Sequence, residues 1–437
     1  MSRLSRSGAS RPHGPHEAGS EAALASEMGV PSIQSRRSRG RLGHGDGRLV
    51  VRAHFVPTES EVYWLTMASH SEGEIGVGVI GCGYWGPQLI RNFHTTPGAA
   101  LVAIADQRQD RLDYVRQHYP EARRHRNHVE LLESAGIDAV VVATPIHTHY
   151  QVARDALLAG KHVMVEKPLT ASAWEGAELV QLARARGVTL MVGHTFVYNP
   201  AVTELRRIVQ SGELGRIFYA DGARLNLGLF QKELNVAWDL APHDISILLH
   251  VLDQFPVEVA ARGSAFIQPS VHDVVYLDLI FPLGIQARIH VSWLDPDKVR
   301  RMTIVGDRRM VVYDDVSLTE KIRVYDKGVV MPITDSFGEF QLSYRHGDIR
   351  VPYLESSEPL RLEVEHYVHC VRTGETPRSD GLQGLGVTTV LEAADRSLAN
   401  GGRLQTVESP HERLSSTVVG RFQGTRNGTP HPRKRAS

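Results

Sequence analysis

From residue 76 the chain alternates two hydrophobic patterns. Short unbroken apolar runs, GVGVI (76–80), ALVAIAD (100–106), DAVVVATP (138–145), HVMVEKP (162–168) and VTLMVGH (188–194), are of strand length. Between them, PQLIRNFHTT, HYQVARDALLAG and AWEGAELVQLARARG place apolar residues at helical spacing. A strand that is apolar at every position is buried on both faces, as in a parallel sheet covered by helices. The pattern therefore predicts an α/β fold whose N-terminal part is a Rossmann-type, doubly wound parallel sheet. After residue 194 the pattern changes. RIFYADGARLNL, VEVAARGSAFI, DVVYLDLIF, IQARIHVSWL, RRMTIVG and RMVVYDD read as strands, with turn signals at PLG (282–284) and GDR (306–308). Consecutive hairpins predict a C-terminal α+β domain with a large, mostly antiparallel sheet. EPLRLEVEHYVHCVRTG and GLGVTTVLEAADRSLANGG close it as late helices.

The ends lack such patterning. Residues 1–66 hold nine Arg and no Lys amid Ser, Gly, His and Pro, and the segment from 409 is polar and basic. The expected organisation is a disordered leader (1–73), a dinucleotide-binding domain (74–193), a substrate-binding and oligomerisation domain (194–408) and a disordered basic tail (409–437). Composition narrows the partners. With 49 basic and 49 acidic side chains the net charge is zero, which gives no electrostatic reason to expect nucleic acid. No apolar run reaches the roughly 20 residues that span a bilayer, so no membrane association is expected. Two cysteines cannot build a disulfide framework, which suits a reducing, cytoplasmic setting.

The chemistry concentrates at the ends of the first strands. In GCGYWG, Gly81, Gly83 and Gly86 fit G-x-G-x-x-G between a strand and a helix, with Tyr84 and Trp85 inside the loop. The first glycine makes the turn, the second lets the backbone approach a pyrophosphate, and the third lets helix and strand pack closely. Asp106, 20 residues beyond Gly86, ends the next strand, where its carboxylate can accept from ribose hydroxyls and repel a 2′-phosphate. NAD is the expected cofactor. NADP stays possible because Arg108 follows closely. Lys167 is one of seven lysines in an arginine-rich chain, and lysine can lose its proton where arginine cannot. With Glu166, Thr144 and Pro145 it lies at a strand's carboxyl end, where such sheets bind ligands.

The glycine loop, ATPIHTHY, EKP and the later WDLAPHDISIL together resemble the Gfo/Idh/MocA oxidoreductases over about residues 74–405. The resemblance implies an NAD(P)-dependent enzyme acting on CH–OH groups, and dimers or tetramers built through the C-terminal sheet. It implies Lys167 beside the nicotinamide and the reacting hydroxyl, and Thr144, Pro145 and His149 along the cofactor. Asp239 and His243 match its acid and histidine that contact substrate. Ala241 and Ser246 depart from its pattern, where the family has a glycine and an acid. The LNLGLF and HTFVYNP stretches look most like members acting on nucleotide-linked sugars. A free sugar or inositol, or a non-catalytic NAD-sensing regulator, are the alternatives.

Read from its own residues, WDLAPHDISILLHVLDQ predicts a helix with Pro242 and His243 in its first turn and Asp239 just before it, the N-terminal dipole keeping the imidazole neutral. His243 and Lys167 are the candidate bases, with Asp239 as orienting acid. His194, Tyr198, Arg224 and Asn226 are candidate substrate contacts, with core packing or an ordinary strand-face role as the alternative. The histidines of IHTHY and RHRNH have no accompanying cluster of cysteines or carboxylates, so no metal is expected.

Overall fold

The computed structural model describes residues 73–232, 234–330 and 343–416. The expected leader therefore lies outside the described residues except for Gly73, as do residues 417–437 of the expected tail.

The N-terminal layer runs β1 (Ile75–Ile80), α1 (Gly86–Thr95), β2 (Ala99–Ala105), α2 (Gln109–His118), β3 (Arg123–His125), α3 (His128–Leu132), β4 (Ala139–Val142), α4 (Ile146–Leu158), β5 (His162–Glu166), α5 (Ala173–Arg186) and β6 (Leu190–Gly193). These six strands form one parallel sheet in the order β3-β2-β1-β4-β5-β6. All six residues of β1 are buried, as the unbroken apolar run requires. The order reverses between β1 and β4, which opens a crevice at their carboxyl ends. The glycine loop follows β1 there and the ATP stretch follows β4. The short β3 carries the sequence Arg-Arg-His and was not legible as a strand, because an edge strand needs no apolar run.

The second layer comprises β7 (Ile217–Leu225), β8 (Glu258–Ser264), β9 (Val274–Ile280), β10 (Gln286–Ser292), β11 (Val299–Gly306), β12 (Met310–Asp314), β13 (Ile322–Val330), β14 (Ser343–Arg350) and β15 (Gln405–Thr406). Their order is β14-β13-β12-β11-β7-β10-β9-β8-β15, antiparallel except where β10 meets β7. The PLG segment turns β9 into β10, with Leu283 at φ 62 and 95% exposed at the tip. α6 (Pro200–Gln210), α7 (Val236–Leu252) and α9 (Gly381–Ala399) share a core with this sheet, in which Ile245 and Leu248 of α7 meet Leu277, Ile289 and Ile304. Alternation along β9 buries Val275, Leu277 and Leu279 and leaves Tyr276 on the opposite, exposed face with Tyr219. α8 (Pro359–Thr373) instead packs on the first layer, its Tyr367 ring edge-on to Phe93 of α1.

Two expectations are corrected. α7 begins at Val236, not near Pro242: the Asn235 side chain accepts from the backbone N–H groups of Ala237 and Trp238 at 3.0 and 3.2 Å, a stronger start signal than proline. Asp239 is thus in the first turn, Pro242 is interior, and His243 lies about two turns in. The chain is also ordered beyond residue 409. Ser409 and Glu412 bond reciprocally through side chain and backbone, a capping box that starts a helical segment over residues 410–416. Leu414 of that segment is buried in the first layer's core.

Candidate active site

The glycine loop is shaped by contacts that admit no side chain. Gly81 has φ +99°, and a Cβ there would lie 2.5 Å from the Ala143 carbonyl oxygen; one on Gly86 would lie 2.4 Å from the Gly81 oxygen. A Cβ on Gly83 would meet nothing, so that residue faces open space. No side chain caps the start of α1, so its N-terminal N–H groups remain available to phosphate oxygens. Asp106 accepts from the Cys82 backbone N–H at 2.7 Å and from that of Arg108 at 2.8 Å, which fixes its carboxylate beside the loop. The Arg108 guanidinium is gripped by Asp110 through bonds of 3.1 and 2.6 Å. These features fit the adenosine and pyrophosphate of NAD.

Across the crevice, His149 is 2% exposed and bridges two loops: its ring nitrogens lie 2.9 Å from the Pro168 oxygen and 2.8 Å from the Thr144 oxygen. Burial pushes its imidazole below the usual range, so the neutral ring donates to one of the two carbonyls. His149 thereby ties the turn after β4 to the turn after β5, and the second of these carries Lys167.

Lys167 donates to the Asp239 backbone oxygen at 2.8 Å, and its Nζ lies 3.5 Å from Asp239 Oδ1. Asp239 Oδ2 accepts from the Trp293 indole at 3.0 Å. The N-terminal turn of α7 is thus held against the end of β5 by the lysine, and against the end of β10 by the tryptophan. His243, about two turns into α7, faces the same cleft edge-on to Phe196, with ring centroids 4.9 Å apart. Its Nδ1 is buried without a partner. Burial, followed by the positive charges of Lys167 and Arg224, pushes the imidazole well below its ordinary range, so the ring is neutral. The helix dipole expected to do this is not the cause, because His243 is not in the first turn.

Lys167, Asp239 and His243 line one cleft of about 1680 Å³, together with Gly83, Tyr84, Trp85, Thr144 and Pro145. The structure brings Asn226 to the same wall. His194, Tyr198 and Arg224 do not line it. His194 is 0% exposed with both ring nitrogens unpartnered, and burial lowers its imidazole to about 3. Tyr198 shares a hydrogen bond with Ser379 in the core at 3.0 Å. Arg224 is tied to Asp244 at 2.6 Å, both side chains being almost fully buried, and lies 4.4 Å from the centroid of Phe196. Phe196 lines the cleft, and the Arg224 guanidinium lies over its ring.

Sequence reasoning missed several residues of the cleft. Trp293 is one, since nothing local says that its buried N–H, which needs an acceptor, finds Asp239. Phe196 is another. Asp315 is held by the Asn199 amide at 3.0 Å, Lys321 at 3.3 Å and Arg300 at 3.5 Å, and these residues all line the cleft. Lys321 and Arg300 are first among the positive charges that hold the Asp315 carboxyl below its usual range against the cost of burial. These residues come from three elements, and no motif links them.

Comparison with known proteins adds the following. A family model described as an oxidoreductase family with an NAD-binding Rossmann fold matches residues 75–194, and one for the GFO/IDH/MocA C-terminal domain matches residues 202–312. scyllo-Inositol 2-dehydrogenase (NAD(+)) of Bacillus subtilis is 26% identical over 346 residues, 76% of this chain and 97% of that protein. UDP-N-acetylglucosamine 3-dehydrogenase of Acidithiobacillus ferrooxidans is 30% identical over 255 residues, 57% of this chain and 77% of that protein. A solved structure of the latter enzyme aligns at 25% identity with a TM-score of 0.63, over 76% of this chain and 99% of that one.

Proposed function

The chain belongs to the Gfo/Idh/MocA family of NAD-binding oxidoreductases, and from that premise we propose that it interconverts a secondary alcohol and a ketone on a nucleotide-linked sugar. The observation that carries the reading is the convergence of Lys167, Asp239 and His243 in the cleft that also holds the glycine loop. NAD, when bound, supplies the hydride acceptor.

The protein's own groups handle the proton and the oxygen. Lys167 reaches the cleft from the end of β5 and is oriented by Asp239, which is itself fixed by Trp293. From there its ammonium donates to the substrate oxygen and stabilises the negative charge that develops as the hydroxyl proton leaves. His243 presents a neutral imidazole on the cleft wall, so it accepts that proton. A cation beside the oxygen and a neutral acceptor beside the proton are what oxidation of a secondary alcohol needs. A cofactor-sensing regulator needs neither.

Cleft size and charge support a substrate larger than one sugar. A volume of about 1680 Å³ exceeds the roughly 300–1,000 Å³ of ordinary small-molecule sites, although the nicotinamide half must share it. Lys232, Arg300 and Lys321 also line it, the last two around Asp315, and this cluster leaves a net positive charge for a diphosphate. A free sugar or inositol is the second reading, favoured by the inositol dehydrogenase that aligns over 97% of its length. The exposed face of the nine-stranded sheet supplies the surface for a dimer or tetramer, and a cytoplasmic location suits an enzyme dependent on NAD. A panel of nucleotide sugars, free sugars and inositols, followed by reduced-nicotinamide absorbance, tests the substrate. Turnover confined to the nucleotide sugars is the expected result. Turnover of inositol alone overturns the nucleotide-sugar assignment, and no turnover of any compound overturns the reaction class.

A further inference from the structure

A second carboxyl lies behind the lysine, and the mechanism above does not use it. Glu363 sits on the second turn of α8 and is 0% exposed. One oxygen, Oε2, accepts from the Thr195 hydroxyl at 2.7 Å, and the other, Oε1, is buried with no partner. Glu166, the residue before Lys167, points toward the same region from the end of β5. A Cβ on Gly193 would lie 3.2 Å from its carboxyl, and Thr195 follows Gly193 by two residues. Glu166 accepts from the Lys167 backbone N–H at 3.2 Å, and its Oε1 is also buried without a partner. Two carboxyls, each with one orphaned oxygen, thus flank the turn after β6.

The surroundings set their charge. Burial first, and then the nearby charge of Glu166, push the Glu363 carboxyl well above its ordinary range, and the Thr195 bond offsets only part of this. Burial pushes Glu166 up to about 7, opposed by the adjacent Lys167. The other groups around the pair do not neutralise it. His194, after β6, is uncharged, Tyr198 and Tyr367 are phenols raised by burial, and Arg91 of α1 is committed to Glu358 at the start of α8. Two anions buried beside this turn would be costly. Like-charged carboxyls that share a site hold one proton between them.

We propose that Glu363 is a positioning residue for Lys167: it and Glu166 hold a single proton between them, so that one negative charge, and not two, stands behind the lysine. The inference rests on the reading of Lys167 as the cleft's cation. With one charge behind it, the ammonium stays at Asp239 and reaches the substrate oxygen. A second charge draws it back toward β5 and off the cleft. Loss of the shared proton at alkaline pH therefore lowers turnover without any change in the cofactor loop.

Infrared spectroscopy and kinetics test this on the full chain. At neutral pH the wild type is expected to show the C=O stretch of a protonated, solvent-shielded carboxylic acid that is missing from Glu363→Gln. The glutamine, a neutral mimic of the protonated acid, keeps turnover within about threefold of wild type. It also moves the alkaline fall in kcat to higher pH, leaving only the fall that follows loss of the Lys167 charge. Glu363→Leu fills the space but cannot bond Thr195, and loses about tenfold in kcat with NAD affinity kept. Absence of the carboxylic-acid band in the wild type overturns the proposal. So does a Glu363→Gln profile that superimposes on wild type, or a glutamine variant as impaired as the leucine one. The spectroscopic arm needs no turnover, so it fails separately from the reading of Lys167, which fails if Lys167→Met stays active.

Discussion

Replacing Arg224 by methionine separates a structural role from substrate contact at a position that the sequence offered for substrate. The Arg224 Nε lies 2.6 Å from Asp244 Oδ2, and the two side chains are 4% and 3% exposed. A second bond, at 3.4 Å, completes a two-pronged grip. Methionine keeps most of the volume and removes the charge, leaving the Asp244 carboxylate buried without a counter-ion. Breaking one partner of such a pair costs about 3–5 kcal/mol, whereas replacing both with apolar groups is close to neutral. The cation over Phe196, at 4.4 Å, adds about 0.5–2 kcal/mol. Urea unfolding of Arg224→Met is therefore expected to show a loss of about 3.5–7 kcal/mol at unchanged slope. Arg224→Met/Asp244→Leu should recover most of it, with KM for the sugar little altered in the double variant. If the single variant instead loses under about 1 kcal/mol while KM rises about tenfold, Arg224 reaches the substrate and the assignment to the core is wrong.

The cofactor reading gives a simpler test. Asp106→Ser should raise NADP affinity relative to NAD, because it removes the carboxylate fixed beside the glycine loop, and titration of each dinucleotide reads the ratio. A wild type that already prefers NADP would contradict the role of Asp106. Stability should also depend on acid. His194 has its imidazole lowered to about 3, so the folded state binds fewer protons than the unfolded chain. The stabilisation is complete above about pH 6.5 and is lost as pH falls toward 3, by an upper bound of about 5 kcal/mol. Urea midpoints compared at about pH 7 and about pH 4.5 should fall less for His194→Phe than for wild type. Equal falls would show that other groups carry the acid sensitivity.

Apart from β3, the first layer was legible because its strands are buried on both faces and announce themselves as apolar runs bounded by a glycine or a proline. Lys167 was legible for the same reason: the run HVMVE places it at a carboxyl end. The start of α7 was misplaced because Pro242 is a conspicuous local signal and Asn235 a quiet one, though the asparagine satisfies two backbone donors and the proline none. That Arg224 and His194 lie off the cleft was not legible, because only three-dimensional packing shows the first paired with Asp244 and the second enclosed. Trp293, Asp315 and Glu363 reach the region from residues far from the motifs, and local pattern carries no record of such pairings.

The most direct test of the central claim is the turnover of Lys167→Arg with the sugar that the wild type oxidises fastest. Arginine keeps the positive charge at Asp239 but not the compact ammonium that donates to the substrate oxygen. NAD affinity should stay within about threefold of wild type, and kcat should fall by about 10²-fold or more. Near-normal turnover in that variant would contradict the claim, since a compact ammonium at the substrate oxygen would then be dispensable and any cation at Asp239 would serve.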